Sequence, residues 1–261
     1  MIDDVFLHIE IFLEMYPFEH KEHKIYANTF LQNVLVEWHY ASIVGILDQD
    51  SIKRFLEEKF KIKTEEDKNI QYPIIVSSKD KDIQLFFDRD VFKLNVRVNY
   101  YKGFESLNPF LRCGLDYLKL NDAQNIESCL IRKIDVFPFK NISSNNTSNA
   151  TLLNKIFSKK LLEGVSVSSN DAFQSFWSKN FEDRNNSENV VIKFGFQRKQ
   201  VNDSDKGLDD RFVLDFSIDR IKNIPIDKIN SNLSEMNKVL YDAFHWSVNQ
   251  DIIDIMEKGS L

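Results

Sequence analysis

The sequence predicts an α+β protein in which an antiparallel sheet is covered on one face by helices, arranged as two similar helix–strands–helix lobes. Three observations carry this expectation. Phe92, Leu94, Val96, Val98 and Tyr100 alternate with Lys93, Asn95, Arg97 and Asn99, the pattern of an antiparallel strand wet on one side. The strand-like run from Arg211 to Ile218 leads into a long amphipathic stretch from Ile226 to Lys258. The order helix, strands, helix occurs at 49–119 and again at 151–258, with Phe92-x-Leu94-x-Val96-x-Val98 corresponding to Phe212-x-Leu214-x-Phe216-x-Ile218.

Read in order, residues 2–16 fit two templates. As a helix, Ile2, Val5, Phe6, Ile9, Phe12, Leu13 and Tyr16 share a face; as a strand, Val5, Leu7, Ile9, Ile11, Leu13 and Met15 alternate with polar residues. The helix is preferred because Leu, Glu and Met are good helix formers. Leu31 to Ile43 is a strand with Val34, Val36, Trp38 and Tyr40 inward. A helix through Ile52, Phe55, Leu56 and Phe60, capped by Asp48 or Asp50, precedes strands at 72–76, 83–87 and 92–100. A helix from about Phe104 puts Leu107, Leu111, Leu115 and Leu118 in register, and Glu127 to Phe137 is the next strand. After a short helix at 152–162, residues 172–182 and 190–200 read as a hairpin around Asn185-Asn-Ser, though the first arm also suits a helix. In the closing stretch, Ile229, Leu233, Met236, Leu240 and Phe244 share one face, and the capping-box spacing of Ser247 and Gln250 marks a helix restart. The expected organisation is an apolar extension at 1–27, a first lobe at 28–140, an Asn/Ser-rich linker at 141–150 and a second lobe at 151–261.

Composition narrows the function classes. The 261 residues suffice for one large or two small domains, and 43% hydrophobic with 28% charged residues argues against wholesale disorder. Seven Gly leave little room for phosphate-cradling loops or a dinucleotide fingerprint, and no cofactor is implied. A net charge of −6 disfavours general nucleic-acid binding, which draws its affinity from clustered Lys and Arg. Cys113 and Cys129 are expected as buried free thiols. No apolar run reaches the length of a membrane span, and Asp3, Asp4, Glu10 and Glu14 break the pattern of a signal peptide, so the cytoplasm is the expected compartment.

Several clusters are candidates for chemistry. Glu37 and His39, two apart on a strand, leave the same face and have the spacing of a general acid–base pair. Arg132 and Asp215 would complete a polar cluster with them. The bland alternative is the wet side of a sheet. Lys193, Arg198 and Lys199 lie near Trp177, Phe194 and Phe196, a combination that on one surface would stack single strands or nucleotides; aromatics at alternating strand positions are more often core. Glu19-His20-Lys-Glu22-His23 is dense in ligands, but its two His are three apart and lack the accompanying Glu of a zinc-protease helix, so no metal site is expected. Val5, Phe6, Ile9, Phe12 and Leu13 would form an exposed apolar patch, which makes them the candidate partner-binding face.

Three segments carry a resemblance: Phe30-Leu-Gln-Asn-Val-Leu-Val-Glu-Trp38, Tyr100-Tyr-Lys-Gly-Phe-Glu-Ser-Leu-Asn-Pro-Phe-Leu111, and Val213-Leu-Asp-Phe216 with Leu233-Ser-Glu-Met-Asn237 and Phe244. Together they resemble a sporadically distributed bacterial family of about this length with no assigned activity, over about residues 28–258. The chain departs from that pattern at Asn237, where the family has His, and at Val136, where it has a second Arg. The resemblance implies a host-conflict or phage-defence setting and no mechanism. The expected role is a non-enzymatic binding or assembly component acting through protein contacts. The alternatives are a hydrolase or nuclease built on Glu37, His39, Arg132 and Asp215, or a sensor that binds a nucleotide or peptide between the lobes.

Overall fold

The computed structural model of the chain describes residues 16–26, 29–42, 54, 58, 74–78, 82–120, 123–138, 149–166, 174–199 and 209–258. Its strands are β1 (Leu31–His39), β2 (Ile74–Ser77), β3 (Ile83–Phe87), β4 (Val91–Arg97), β5 (Asn125–Pro138), β6 (Gln174–Asp183), β7 (Glu188–Lys199) and β8 (Asp209–Pro225). They form one eight-stranded sheet in the order β2-β3-β4-β1-β5-β8-β7-β6, and every pairing is antiparallel. The helices are α1 (Asn108–Leu120), led in by a 3₁₀ turn at Phe104–Leu107, α2 (Asn149–Ile156), α3 (Lys159–Leu162), α4 (Ile229–Ser247) and α5 (Gln250–Lys258). The α+β class is therefore the observed one: an antiparallel sheet with the helices α1–α5 on one face.

The strand order is symmetric about the β1/β5 seam. In each half the first strand lies at the seam, the second at the sheet edge, and a helix follows the last. Phe92, Leu94 and Val96 of β4 and their counterparts Phe212, Leu214 and Phe216 of β8 are all buried. The halves share one sheet and one continuous core cluster. The linker expected at 141–150 falls mostly on residues 141–148, outside the described residues, as do residues 2–15; Arg54 and Glu58 of the helix expected at 52–60 are helical.

Alternation decides which face is covered. Val34, Val36 and Trp38 of β1, and Val190, Ile192 and Phe194 of β7, are buried under the helices, while Asn33, Leu35 and Glu37 stand on the other, partly exposed face. α1 sits very close to the sheet: a Cβ on Gly114 would meet Phe92 at 2.7 Å and Trp38 at 2.8 Å, so only glycine fits there.

Several elements differ in extent from expectation. β4 stops at Arg97 rather than Tyr100, because Tyr100 N–H donates to Arg97 O and Tyr101 N–H to Val98 O, closing a turn before Gly103 at φ +105°. The helix expected at 152–162 is broken at Phe157, whose backbone bridges to Val248, and Ser158 Oγ then accepts from Leu161 N–H to start α3. Residues 174–183 are a strand, and its hairpin with β7 turns at 184–187 as expected. The restart at Gln250 is present, but Ser247 does not make it: its hydroxyl donates back to Ala243 O at 2.7 Å. Among the described residues no helix is long and apolar enough to cross a membrane.

Candidate functional site

Residues 16–26 form no regular element but run as a strap across α4 and α5, held by side chains. Tyr16 Oη donates to Glu188, which is bonded to buried Arg220. Phe18 packs edge-on against Phe181 and Trp246. Lys21 N–H donates to Asp242, Lys24 N–H donates to Tyr241 Oη, and Lys24 Nζ pairs with Glu257. Tyr26 Oη lies 2.6 Å from His245 Nε2 and 3.1 Å from Tyr241 Oη. Burial, then the Tyr241 contact, holds the Tyr26 phenol well above its ordinary range, and burial holds His245 below its own.

Beneath the strap is a cavity of about 350 Å³. Its roof is His23 to Tyr26, one wall is Tyr101 to Gly103 of the first half, and the opposite wall is Leu240, Tyr241 and Phe244 of α4. Leu31 and Phe216 contribute from the sheet, and Met256 from α5. β5 supplies the polar floor with Lys133 and Asp135.

The periodicity of β5 explains why these charges point inward. A register irregularity between Ile126 and Ser128 resets the alternation, after which Cys129, Ile131, Lys133, Asp135 and Phe137 share the covered face. Lys133 Nζ donates to Asn237 Oδ1 at 2.6 Å and lies 5.9 Å from the centre of the Tyr101 ring. Asp135 is 4% exposed and has no hydrogen-bond or ion-pair partner among the described residues. Burial lowers the Lys133 ammonium to about 8, with Asp135 and then Glu105 opposing that fall. Burial raises the Asp135 carboxyl to about 7, with Lys133 opposing that rise. The floor is thus a donor already engaged on one side and a carboxylate with its acceptor capacity unused, set in an apolar and aromatic wall.

The four polar candidates read from the sequence occupy the other side of the sheet. Glu37 Oε1 lies 2.6 Å from His39 Nε2, and Glu37 Oε2 pairs with Lys93 Nζ at 3.0 Å. Arg132 holds Asp215 through Nε at 2.8 Å and Nη2 at 2.6 Å, a bidentate ion pair that keeps Arg132 above its ordinary range. The four share a face, yet they form two separate closed pairs rather than one cluster. Asp219, pushed up by burial, adds to the Glu37–His39 side.

Comparison of the sequence with protein-family models and with curated proteins gave no match.

The combination of Lys193 with aromatic neighbours on one surface, the lesser of the two readings open to those residues, is not what the strand presents. Lys193 is on the open face opposite Asp215, whereas Phe194 and Phe196 are buried on the helix-covered face. Alternation along β7 separates them. Arg198 and Lys199 continue the same strand, and their side chains lie outside the described residues, as do Val5, Phe6, Ile9, Phe12 and Leu13. His20 of the His/Glu-rich segment is bonded to Asp242, and both cysteines are buried. Lys133, Asp135 and Asn237 were missed as site residues. Their signal was phase: in Ile131-x-Lys133-x-Asp135-x-Phe137 two charges sit in step with core positions.

Proposed function

We propose that the chain is a ligand-binding protein that holds a small molecule in the cavity between its two halves, beneath the strap of residues 16–26. The observation that carries this is the buried Asp135 at the cavity floor, which has no partner among the described residues. An ionised carboxylate without a partner in an apolar site costs several kcal/mol, so such a group is retained where it does something that an apolar residue cannot. A perturbed carboxyl facing a cavity beside a lysine is the mark of a functional site. The aromatic walls and the volume suit one compact molecule. This is the sensor role among those the sequence allows. The likeness of three segments to a sporadically distributed bacterial family supports placing it in a defence setting.

The test is thermal unfolding of the purified chain against a panel of nucleotides, amino acids, aromatic acids and amines. A ligand should raise Tm for the wild type and not for Asp135→Asn, which keeps the shape and removes the charge. If no compound shifts Tm at millimolar concentration, the proposal fails.

A second role, assembly through protein contacts, is favoured by a different observation. Ile75, Phe176 and Ile221 are each at least half exposed, and all three stand on the face of the sheet that none of the five helices α1–α5 covers. That face also carries Glu37, Asp215, Asp219, Lys93, Arg132 and Lys193, so it complements a second copy of itself in charge. Sedimentation of the full chain should show a dimer that Phe176→Lys with Ile221→Lys dissociates; a monomer at all concentrations rules this out.

A further inference from the structure

We infer that the ligand of the cavity is a guanine nucleoside or its monophosphate, with the base on the Lys133–Asp135 floor and the sugar at the mouth beside Lys102. The inference rests on the ligand-binding role proposed above and gives it a chemical class.

The floor demands a particular donor and acceptor pattern. Among the described residues Asp135 offers two oxygens that accept no hydrogen bond, and Lys133 stands two residues along on the same strand face, with one proton committed to Asn237. A partner that satisfies both must present adjacent N–H donors to the carboxylate and a neighbouring acceptor to the ammonium. The edge of guanine carries those groups in that order: the amino N–H and ring N–H side by side, then the carbonyl oxygen. Lysine is a natural donor to that oxygen. Adenine offers one donor group and no carbonyl, and hypoxanthine lacks the amino donor. An aliphatic amine would engage Asp135 and leave Lys133 facing it unfavourably.

The walls fit a flat ring. Tyr26, Tyr101 and Tyr241 line the cavity together with Leu31, Phe216 and Leu240, which suits a planar aromatic body. The volume of about 350 Å³ is that of a site for one compact molecule rather than a dinucleotide. At the rim, Lys24 is paired with Glu257, whereas Lys102 has no ion-pair partner among the described residues. Glu105 lies close enough to Lys133 and Tyr101 to influence both, so the rim is not uniformly basic, and a single phosphate is the most it suits.

Isothermal titration of the full chain tests this with guanosine, GMP, IMP, AMP and xanthosine monophosphate. GMP should bind more tightly than IMP, and IMP more tightly than AMP. Asp135→Asn should weaken GMP by about ten- to a hundredfold and should gain xanthosine monophosphate, whose carbonyl replaces the amino donor and accepts from the new amide. Lys102→Ala should weaken GMP while leaving guanosine unchanged. Thermal unfolding checks that the variants fold, and Asp135→Asn removes an unpartnered charge, so it is expected to fold. Equal GMP affinity in wild type and Asp135→Asn overturns the inference, as does AMP binding tighter than GMP. If guanine compounds fail while another member of the metabolite panel binds in an Asp135-dependent way, the ligand class falls and the binding role stands. If nothing binds, both fall. Equal weakening of guanosine and GMP by Lys102→Ala refutes the placement of the phosphate.

Discussion

Lys133 and Asp135 stand two residues apart on β5 and face the same cavity, but among the described residues only Lys133 is bonded, to Asn237 Oδ1 at 2.6 Å. The opposed shifts of the two groups are one physical fact seen twice: burial disfavours whichever form is charged.

The first prediction follows from the sign of those shifts. Asp135 binds its proton more tightly in the folded chain, at about 7 against 3.8, so its contribution favours folding at low pH and is lost as pH rises through 7. Lys133 binds its proton less tightly, at about 8 against 10.5, so its contribution is present above that range and is lost as pH falls through 8. Asp135→Asn removes the carboxylate penalty. Denaturant unfolding should show the variant more stable by about 1–4 kcal/mol above pH 7, with the gain shrinking toward pH 4. A gain independent of pH would mean that the Asp135 carboxyl titrates alike in the folded and the unfolded chain.

Asn237 is expected to be structural support for Lys133. Asn237→Leu strips the buried ammonium of its acceptor and should destabilise by about 2–4 kcal/mol at pH 7. Asn237→Asp should recover much of this. If Asn237→Leu is neutral in urea unfolding, the hydrogen bond to Lys133 has no energetic role.

Gly114→Ala should destabilise by about 1–3 kcal/mol, even though alanine is the better helix former. The new methyl would meet the rings of Phe92 and Trp38 well inside contact distance, and both rings are fully buried. Urea unfolding decides it: a stabilised variant would mean that α1 can move off the sheet freely.

Tyr26→Phe should loosen the strap without unfolding the protein. Removing the Oη contacts to His245 and Tyr241 gives up about 1 kcal/mol locally, so amide exchange in residues 20–26 should quicken about fivefold at pH 7. Exchange in the β1/β5 seam should stay unchanged. Equal acceleration in both would show that the strap and the sheet open as one unit.

The Arg132–Asp215 pair is expected to be worth little on its own. Arg132 is 43% exposed at its side chain, so a double-mutant cycle with Ala should give about 0.5–1 kcal/mol at low salt and less at high salt. A coupling several times larger would point to a role for the pair beyond the wet face of a sheet.

Much of the fold was legible because alternation and amphipathic spacing are local. Val34, Val36 and Trp38 could be assigned inward from their period alone, and so could Leu233, Met236 and Leu240. The correspondence of Phe92 with Phe212 was visible as a repeated pattern, and the symmetric strand order now gives it a geometric form. Endpoints were not legible. The stop of β4 at Arg97 is made by backbone hydrogen bonds, and the break at Phe157 by a partner ninety residues away.

The sequence by itself determined the class, the wet and dry faces of most strands, and the placing of Glu37 with His39 on one strand face. Only the tertiary structure decided that Glu37, His39, Arg132 and Asp215 close into separate pairs and that the cavity lies on the opposite face. A pattern of apolar positions records which way a side chain points, because that is a property of the strand. Whether a charge pointing inward meets a partner depends on what folds over it. For Lys133 that is Asn237, a hundred residues on; for Asp135 it is the space beneath the strap.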